Sequence, residues 1–179
     1  IIGGHNMDDY PLKMHVFNRA RLIKNSKNRI PYGVDLIQKY KRESWIVFTE
    51  NKKQAKEFNK IINTKGFKSA LYNTDLDSAE RLENLNKFKK ADLNVLVTCT
   101  ALDEGFDMPE ADGALILSAS SSKRQRVQRM GRVLRITENK PNALIVTVYS
   151  SKTEFDKLME EAKRYHKEGV PVSWKRQDR

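Results

Sequence analysis

The sequence is poor in the groups that would let a small chain do covalent or metal chemistry unaided. Its 179 residues include one cysteine, Cys99, which rules out an internal disulfide and fits a reducing compartment. A cytoplasmic, nucleoid or nuclear location is therefore expected, and secretion is not. The three histidines, His5, His15 and His166, share no metal-ligand spacing with Cys99 or with one another, so no zinc or other metal site is expected on them. No run of about 18 apolar residues and no basic-then-apolar leader occurs, so neither a membrane span nor a signal peptide is readable. There is no G-x-x-x-x-G-K-[ST] stretch to cradle phosphates through backbone N–H groups. No nucleophile stands beside a base, and Cys99 reads as a small buried residue. Internal repeats and low-complexity segments are missing too. Taken alone, the chain lacks a complete catalytic site.

What it has is a globular composition, 39% hydrophobic and 32% charged, at a length that fills one well-packed domain. The net charge of +11 is not spread evenly. Residues 123–140 carry seven Lys or Arg against one Asp or Glu and supply more than half of the excess, whereas residues 51–122 carry ten against eleven. A basic patch this local favours a phosphate-bearing partner.

From position 45 short apolar runs alternate with longer helical patterns. "WIVF" (45–48), "FKSALY" (67–72), "NVLVT" (94–98), "GALILS" (113–118) and "NALIVTVY" (142–149) read as strands. Residues 51–66 put Ala55, Phe58, Ile61 and Ile62 on one helical face, with Gly66 as the stop. Residues 77–90 place Leu82, Leu85 and Phe88 at helical spacing behind Asp77 or Ser78 as N-cap. A further helix is expected from about Ser122, and an amphipathic one closes the pattern at 153–169. This order predicts βαβ units with a parallel sheet and helices on both faces, and ligands beyond the carboxyl ends of the strands. Residues 1–35, with Pro11, Pro31 and Gly33, read as a lead-in joined to a helix near 34–42, and 169–179 as a basic tail. The opening "IIGGHN" is unlike a natural start, so a fragment of a longer chain is expected.

Two stretches concentrate candidate chemistry. In "RVQRMGRVLR" (126–135), taken as helix, Val127, Met130 and Leu134 form an apolar stripe while Arg124, Gln128, Arg132 and Arg135 form a polar one. Gly131 costs about 1 kcal/mol relative to alanine inside a helix, and the missing side chain lets a backbone or a phosphate come close. Arginine suits bidentate phosphate contacts because its five donors sit in a fixed fork. A basic, solvated helix face fits the composition equally well. The second stretch, "TCTALDEGFDMPEADG" (98–113), is acidic and turn-punctuated; Asp107 could accept from a ribose hydroxyl and Gly105 could admit a nucleotide. A solvated acidic loop fits those carboxylates as well. Asp103 and Glu104 do not read as a magnesium-binding pair, because such a pair ends an apolar strand directly and "CTAL" intervenes.

Taken together and in this order, the stretches resemble superfamily 2 helicases. "QRMGRVLR" (128–135) is similar to their motif VI, Q-R-x-G-R-x-x-R; residues 98–112 resemble motif V; "WIVFTENKKQA" (45–55) resembles motif IV. Residues 66–98 look like the segment joining IV to V, with Arg81 in its "R…F" pattern but "YNT" (72–74) where many relatives have His-Gly or His-Ser. The match covers about residues 36–160, and "SSSKRQRVQRMGRVLR" followed by a strand and "TEFDKL" is most similar to the XPB-type DNA helicases and translocases.

The resemblance implies an α/β fold, a RecA-like three-layer sandwich with a mostly parallel central sheet and helices on both faces. It implies a linker at 1–35, the second RecA-like domain at 36–168 and the tail at 169–179. ATP and Mg2+ would be held mainly by an absent N-terminal RecA-like domain, so this chain alone is expected to be inactive. Arg132 and Arg135 would be arginine fingers for ATP, Gln128 would sense the γ-phosphate, and Gly105 and Asp107 would face the nucleotide. Thr49, Thr98 and Thr100 would hold a nucleic-acid backbone, DNA rather than RNA; Cys99 stands where many relatives have Thr. Arg129 is expected to brace its loop. Two alternatives remain at this point: the motor part of a restriction or phage-defence nuclease, and a non-catalytic nucleic-acid-binding RecA-like module.

Overall fold

A run such as WIVF or VLVT is apolar at every position, so as a strand it must be covered on both faces. A computed structural model, which describes residues 26–99, 110–118, 143–167, 169 and 171–175, shows that cover. These residues fall into two units, Ile1–Val148 and Tyr149–Arg179. In the first, helix α1 (Arg29–Tyr40) precedes β1 (Trp45–Phe48), α2 (Lys52–Thr64), β2 (Ser69–Tyr72), α3 (Ser78–Lys89), β3 (Val95–Thr98), β4 (Gly113–Ile116) and β5 (Leu144–Thr147). All five described strands are parallel, in the order β2-β3-β1-β4-β5. The three central strands are buried at every position, and the edge strands β2 and β5 are covered less completely.

Side chains alternate across a pleated strand, and here that alternation sorts the core into two layers. Trp45, Val47, Val95, Val97 and Leu115 face one way and meet Val34 and Ile37 of α1 and Phe58 and Ile62 of α2. Ile46, Phe48, Leu96, Ala114 and Ile116 face the other and meet Leu85 and Phe88 of α3. The β1–α2–β2 connection runs one way across the sheet and β2–α3–β3 the other, so right-handed crossovers place α2 and α3 on opposite faces. The result is the expected three-layer sandwich.

Local signals set the helix ends. Asn51 caps α2 by accepting from Gln54 N at 3.0 Å, and Asp77 caps α3 by accepting from Glu80 N at 2.7 Å. Gly66, at φ +86°, ends the turn after α2. Gly113 lies opposite Trp45 in register, where the indole ring packs directly on its backbone.

Two expectations shift. The helix anticipated near 34–42 begins at Arg29, since Pro31 falls in its first turn, where no intrahelical N–H is needed. Gly33 lies within that helix, against Leu115 and Leu117. Leu82, expected beside Leu85 and Phe88, is 58% exposed. Three residues turn a helix about 60° short of a full circle, so Leu82 sits about 120° from Phe88 and leaves the buried face.

In the second unit α4 (Lys152–Lys167) starts with Glu154 N donating to Ser151 Oγ and Ser150 N donating back to Glu154 Oε2. Phe155 packs between Tyr149 and the edge of Trp174, with ring centroids 5.2 and 5.1 Å away. Among the described residues no helix is long and apolar enough to cross a membrane.

Candidate functional site

A fold held by apolar layers has little reason to bury polar side chains, so where it does is informative. Among the described residues Arg29, Thr49, Gln54, Asn73, Thr98 and Ser118 are buried. All six gather at the carboxyl edge of the sheet. Thr49 and Gln54 follow β1, Asn73 follows β2, Thr98 ends β3 and Ser118 lies beyond β4. Arg29 reaches the same edge from α1, donating to Leu117 O and Val148 O. At the opposite edge Ser44 and Asp112 make a half-buried clamp, Ser44 N and Oγ donating to Asp112 Oδ2 at 3.1 and 3.0 Å.

The carboxyl edge also contains the place where the chain reverses direction across the sheet. From β1 the chain moves toward β2; from adjacent β3 it moves past β1 to β4. Open parallel sheets bind ligands at such a switch point, because the diverging connections leave a crevice. Thr49 and Thr98 flank it. Thr49 N donates to Thr98 O at 2.9 Å, and the Thr49 hydroxyl lies 3.3 Å from that carbonyl and 3.2 Å from Asn51 O. With Glu50 N donating to Gln54 Oε1 at 3.1 Å, the β1–α2 turn is knitted into one conformation.

The β2–α3 turn forms the next wall. Asn73 Oδ1 accepts from Asp75 N at 3.0 Å, while its Nδ2, buried with the rest of the side chain, meets no acceptor among the described residues. The Ser118 hydroxyl is likewise without a partner there. Each such buried donor costs about 1–3 kcal/mol. Asp75 takes ion pairs from Lys52 and, at 3.1 Å, from Lys56, both on α2. Lys52 first and Lys56 second hold its carboxyl below the ordinary value.

Of the residues singled out in the sequence, Thr49 and Thr98 are thus brought together at adjacent strand ends. Thr100, Gly105, Asp107, Gln128, Arg129, Arg132 and Arg135 lie outside the described residues. Asn73, Ser118 and Arg29 join the edge without having been anticipated. Asn73 had a signal, as the "YNT" departure follows a strand; Ser118 and Arg29 had none.

Comparison with known proteins bears on the same region. The helicase conserved C-terminal domain family matches residues 28–137. The DNA 3'-5' translocase XPB2 of Sulfurisphaera tokodaii is 36% identical over 129 residues, 72% of this chain and 28% of the translocase. UvrABC system protein B of Fusobacterium nucleatum is 31% identical over 66% of this chain and 19% of its own length. The ATP-dependent rRNA helicase RRP3 of Scheffersomyces stipitis is 26% identical over 66% and 24%. The chain thus spans little more than a quarter, at most, of these relatives. Among solved structures, the C-terminal domain of the DEAD-box protein Dbp5 superposes with a TM-score of 0.66 at 21% identity, over 80% of this chain and 81% of that one.

Proposed function

Because the chain belongs to the helicase conserved C-terminal domain family, matched over residues 28–137, we propose that it is the second motor domain of an ATP-dependent superfamily 2 DNA helicase or translocase. One observation carries this: the family match runs through Q-R-M-G-R-V-L-R (128–135), within the stretch that supplies most of the net charge. Identity to the XPB2 translocase above that to an rRNA helicase supports DNA over RNA.

ATP would be held mainly by the preceding RecA-like domain. Arg132 and Arg135 reach across to its β- and γ-phosphates, Gln128 senses the γ-phosphate, and Gly105 and Asp107 line the nucleotide with Asp107 at the ribose. An arginine finger stabilises charge developing on the transferring phosphoryl group and is worth about 10³–10⁵ in rate. The resemblance assigns the Mg2+ that would neutralise the phosphates to the preceding domain as well.

The turns after β1 and β3 hold the nucleic-acid backbone through Thr49, Thr98 and Thr100. Phosphate is gripped without regard to sequence, so binding weakens steeply with salt. The unpartnered Asn73 Nδ2 supports this placement, since an acceptor arriving at the edge would satisfy it. ATP closes the two domains and hydrolysis reopens them, and each cycle moves the strand one small step.

The test is Arg135→Ala in the full-length protein. DNA-stimulated ATP hydrolysis should fall at least a hundredfold; a rate within twofold of the parent would refute the finger assignment.

A further inference from the structure

Arg29 is the one charged residue among the described residues that the fold buries, at 2% exposure. Its Nη1 donates to Leu117 O at 2.9 Å and to Val148 O at 2.8 Å, carbonyls 88 and 119 positions away in sequence. Both follow strand ends. Leu117 N and Val148 N still donate within the sheet, to Phe48 O and Ile116 O, each at 2.9 Å. In a parallel ladder the next donor facing Leu117 O is Glu50 N, two residues past Phe48. Here Glu50 N donates to Gln54 Oε1 instead. A guanidinium carried by α1 has taken the place of the next rung, and β4 ends where Arg29 ends it.

A buried guanidinium carries a large desolvation cost, and an apolar side chain could fill the same space without it. What an apolar side chain cannot do is bind two backbone carbonyls on neighbouring strands at fixed distances. Residues 119–142 begin two positions after Leu117, and they contain Gln128, Arg132 and Arg135. We infer that Arg29 is a positioning residue, setting where the arginine-bearing segment leaves β4 and hence how Arg132 and Arg135 meet ATP on the preceding domain. This rests on the proposed function. It also links the chain entering at α1 to the departure point of the fingers through one side chain.

The experiment measures single-turnover ATP hydrolysis by the full-length protein, with DNA present and enzyme saturating over ATP. The rate constant is then independent of the fraction of molecules that fold. Arg29→Lys should slow it about tenfold and Arg29→Met about a hundredfold, the scale of misplacing a catalytic group by roughly 1 Å. Affinity for ATP should stay within twofold. A purely structural role would lower the thermal midpoint of both variants and leave the rate constant alone. Rates within twofold of the parent in Arg29→Lys, while Arg132→Ala and Arg135→Ala lose at least a hundredfold, overturn the inference and leave the proposed function standing. If the finger variants also hydrolyse at the parent rate, the proposed function fails and the positioning role with it. Should Arg29→Met not fold, Arg29→Lys decides alone.

Discussion

The contact between Gly113 and Trp45 allows a stability effect to be worked out from geometry. A Cβ placed on Gly113 would lie 2.6, 2.7 and 2.8 Å from Cε3, Cζ3 and Cδ2 of Trp45. Carbon atoms in contact rest at about 3.5–4.0 Å, so in Gly113→Ala the ring or the strand must retreat by about 1 Å. The ring has nowhere to go, because Trp45 is fully buried beneath the helices that cover this face. Overpacking of this kind costs about 1–3 kcal/mol, and replacing a strand glycine by alanine returns about 0.5–1 kcal/mol. The expected net loss is about 1–2 kcal/mol, or a thermal midpoint lower by roughly 2–8 °C in a chain of this size. Urea unfolding followed by far-UV circular dichroism reads it in every member of the series, including variants that lack Trp45. The smaller ring of Trp45→Phe should relieve most of the cost, giving a coupling energy in the double-mutant cycle. Equal midpoints for Gly113→Ala and its parent, or a cost unchanged by Trp45→Phe, would refute the packing argument.

Other outcomes follow from the carboxyl edge. Thr49→Val removes one hydroxyl proton that serves two distant acceptors, so stability should drop by only about 0.5–1 kcal/mol. To hold a phosphate the hydroxyl must turn from those carbonyls, and the affinity of the variant for single-stranded DNA should then fall roughly tenfold, as expected for a lost hydrogen bond to a charged group; titration by anisotropy at fixed salt checks this, and unchanged affinity removes the Thr49 hydroxyl from the interface. Asp75→Asn tests the ion pairs to Lys52 and Lys56. Because those lysines lower the Asp75 pKa in the folded state, the stability they lend is fully present above the unfolded value near 3.8 and is lost as pH falls through the folded value beneath it. The parent should therefore have a higher thermal midpoint than Asp75→Asn at pH 7, with the gap closing only below pH 3.8; a gap that closes between pH 5 and 7 assigns the effect elsewhere. The chain of residues 1–179 by itself should hydrolyse no ATP, and steady turnover would overturn the division of the site between two domains.

Much of the fold was legible because it is written in period and punctuation. The five described strands lie within the five apolar runs: β1 matches its run, and the other four are trimmed by one to four residues where the ladder stops. Asp77 and Gly66 acted as the start and stop their chemistry suggests. The errors arose where one feature admits two conformations. Pro31 and Gly33 look like loop residues, yet a proline belongs in a first helical turn and a glycine belongs where a helix meets a strand closely. Leu82 failed because triplet spacing drifts around a helix, a geometric fact that counting apolar residues conceals.

The site was legible differently. The nucleotide-facing residues proposed for it rest on the resemblance to motif VI and motif V and lie outside the described residues, and neither spacing nor composition alone chose between ATP and a solvated basic face. Beyond Thr49, Thr98 and the signal at Asn73, its scaffold could not be read. Arg29 is a charged residue immediately before the apolar positions Ile30, Val34 and Ile37, and its two acceptors are backbone carbonyls, which every residue possesses and no sequence pattern marks. The same holds for Ser118 and for the link from Thr49 to Thr98 O. Burial rather than residue type brings these groups together, because a donor within an apolar sandwich is tolerated chiefly where the sheet ends and the ladder needs closing. The edge that must be closed with polar groups is also the edge open to ligands. If the proposed function holds, one set of side chains serves both purposes, and their substitution should disturb stability and phosphate chemistry together, in proportions that the single-turnover rate constant can separate.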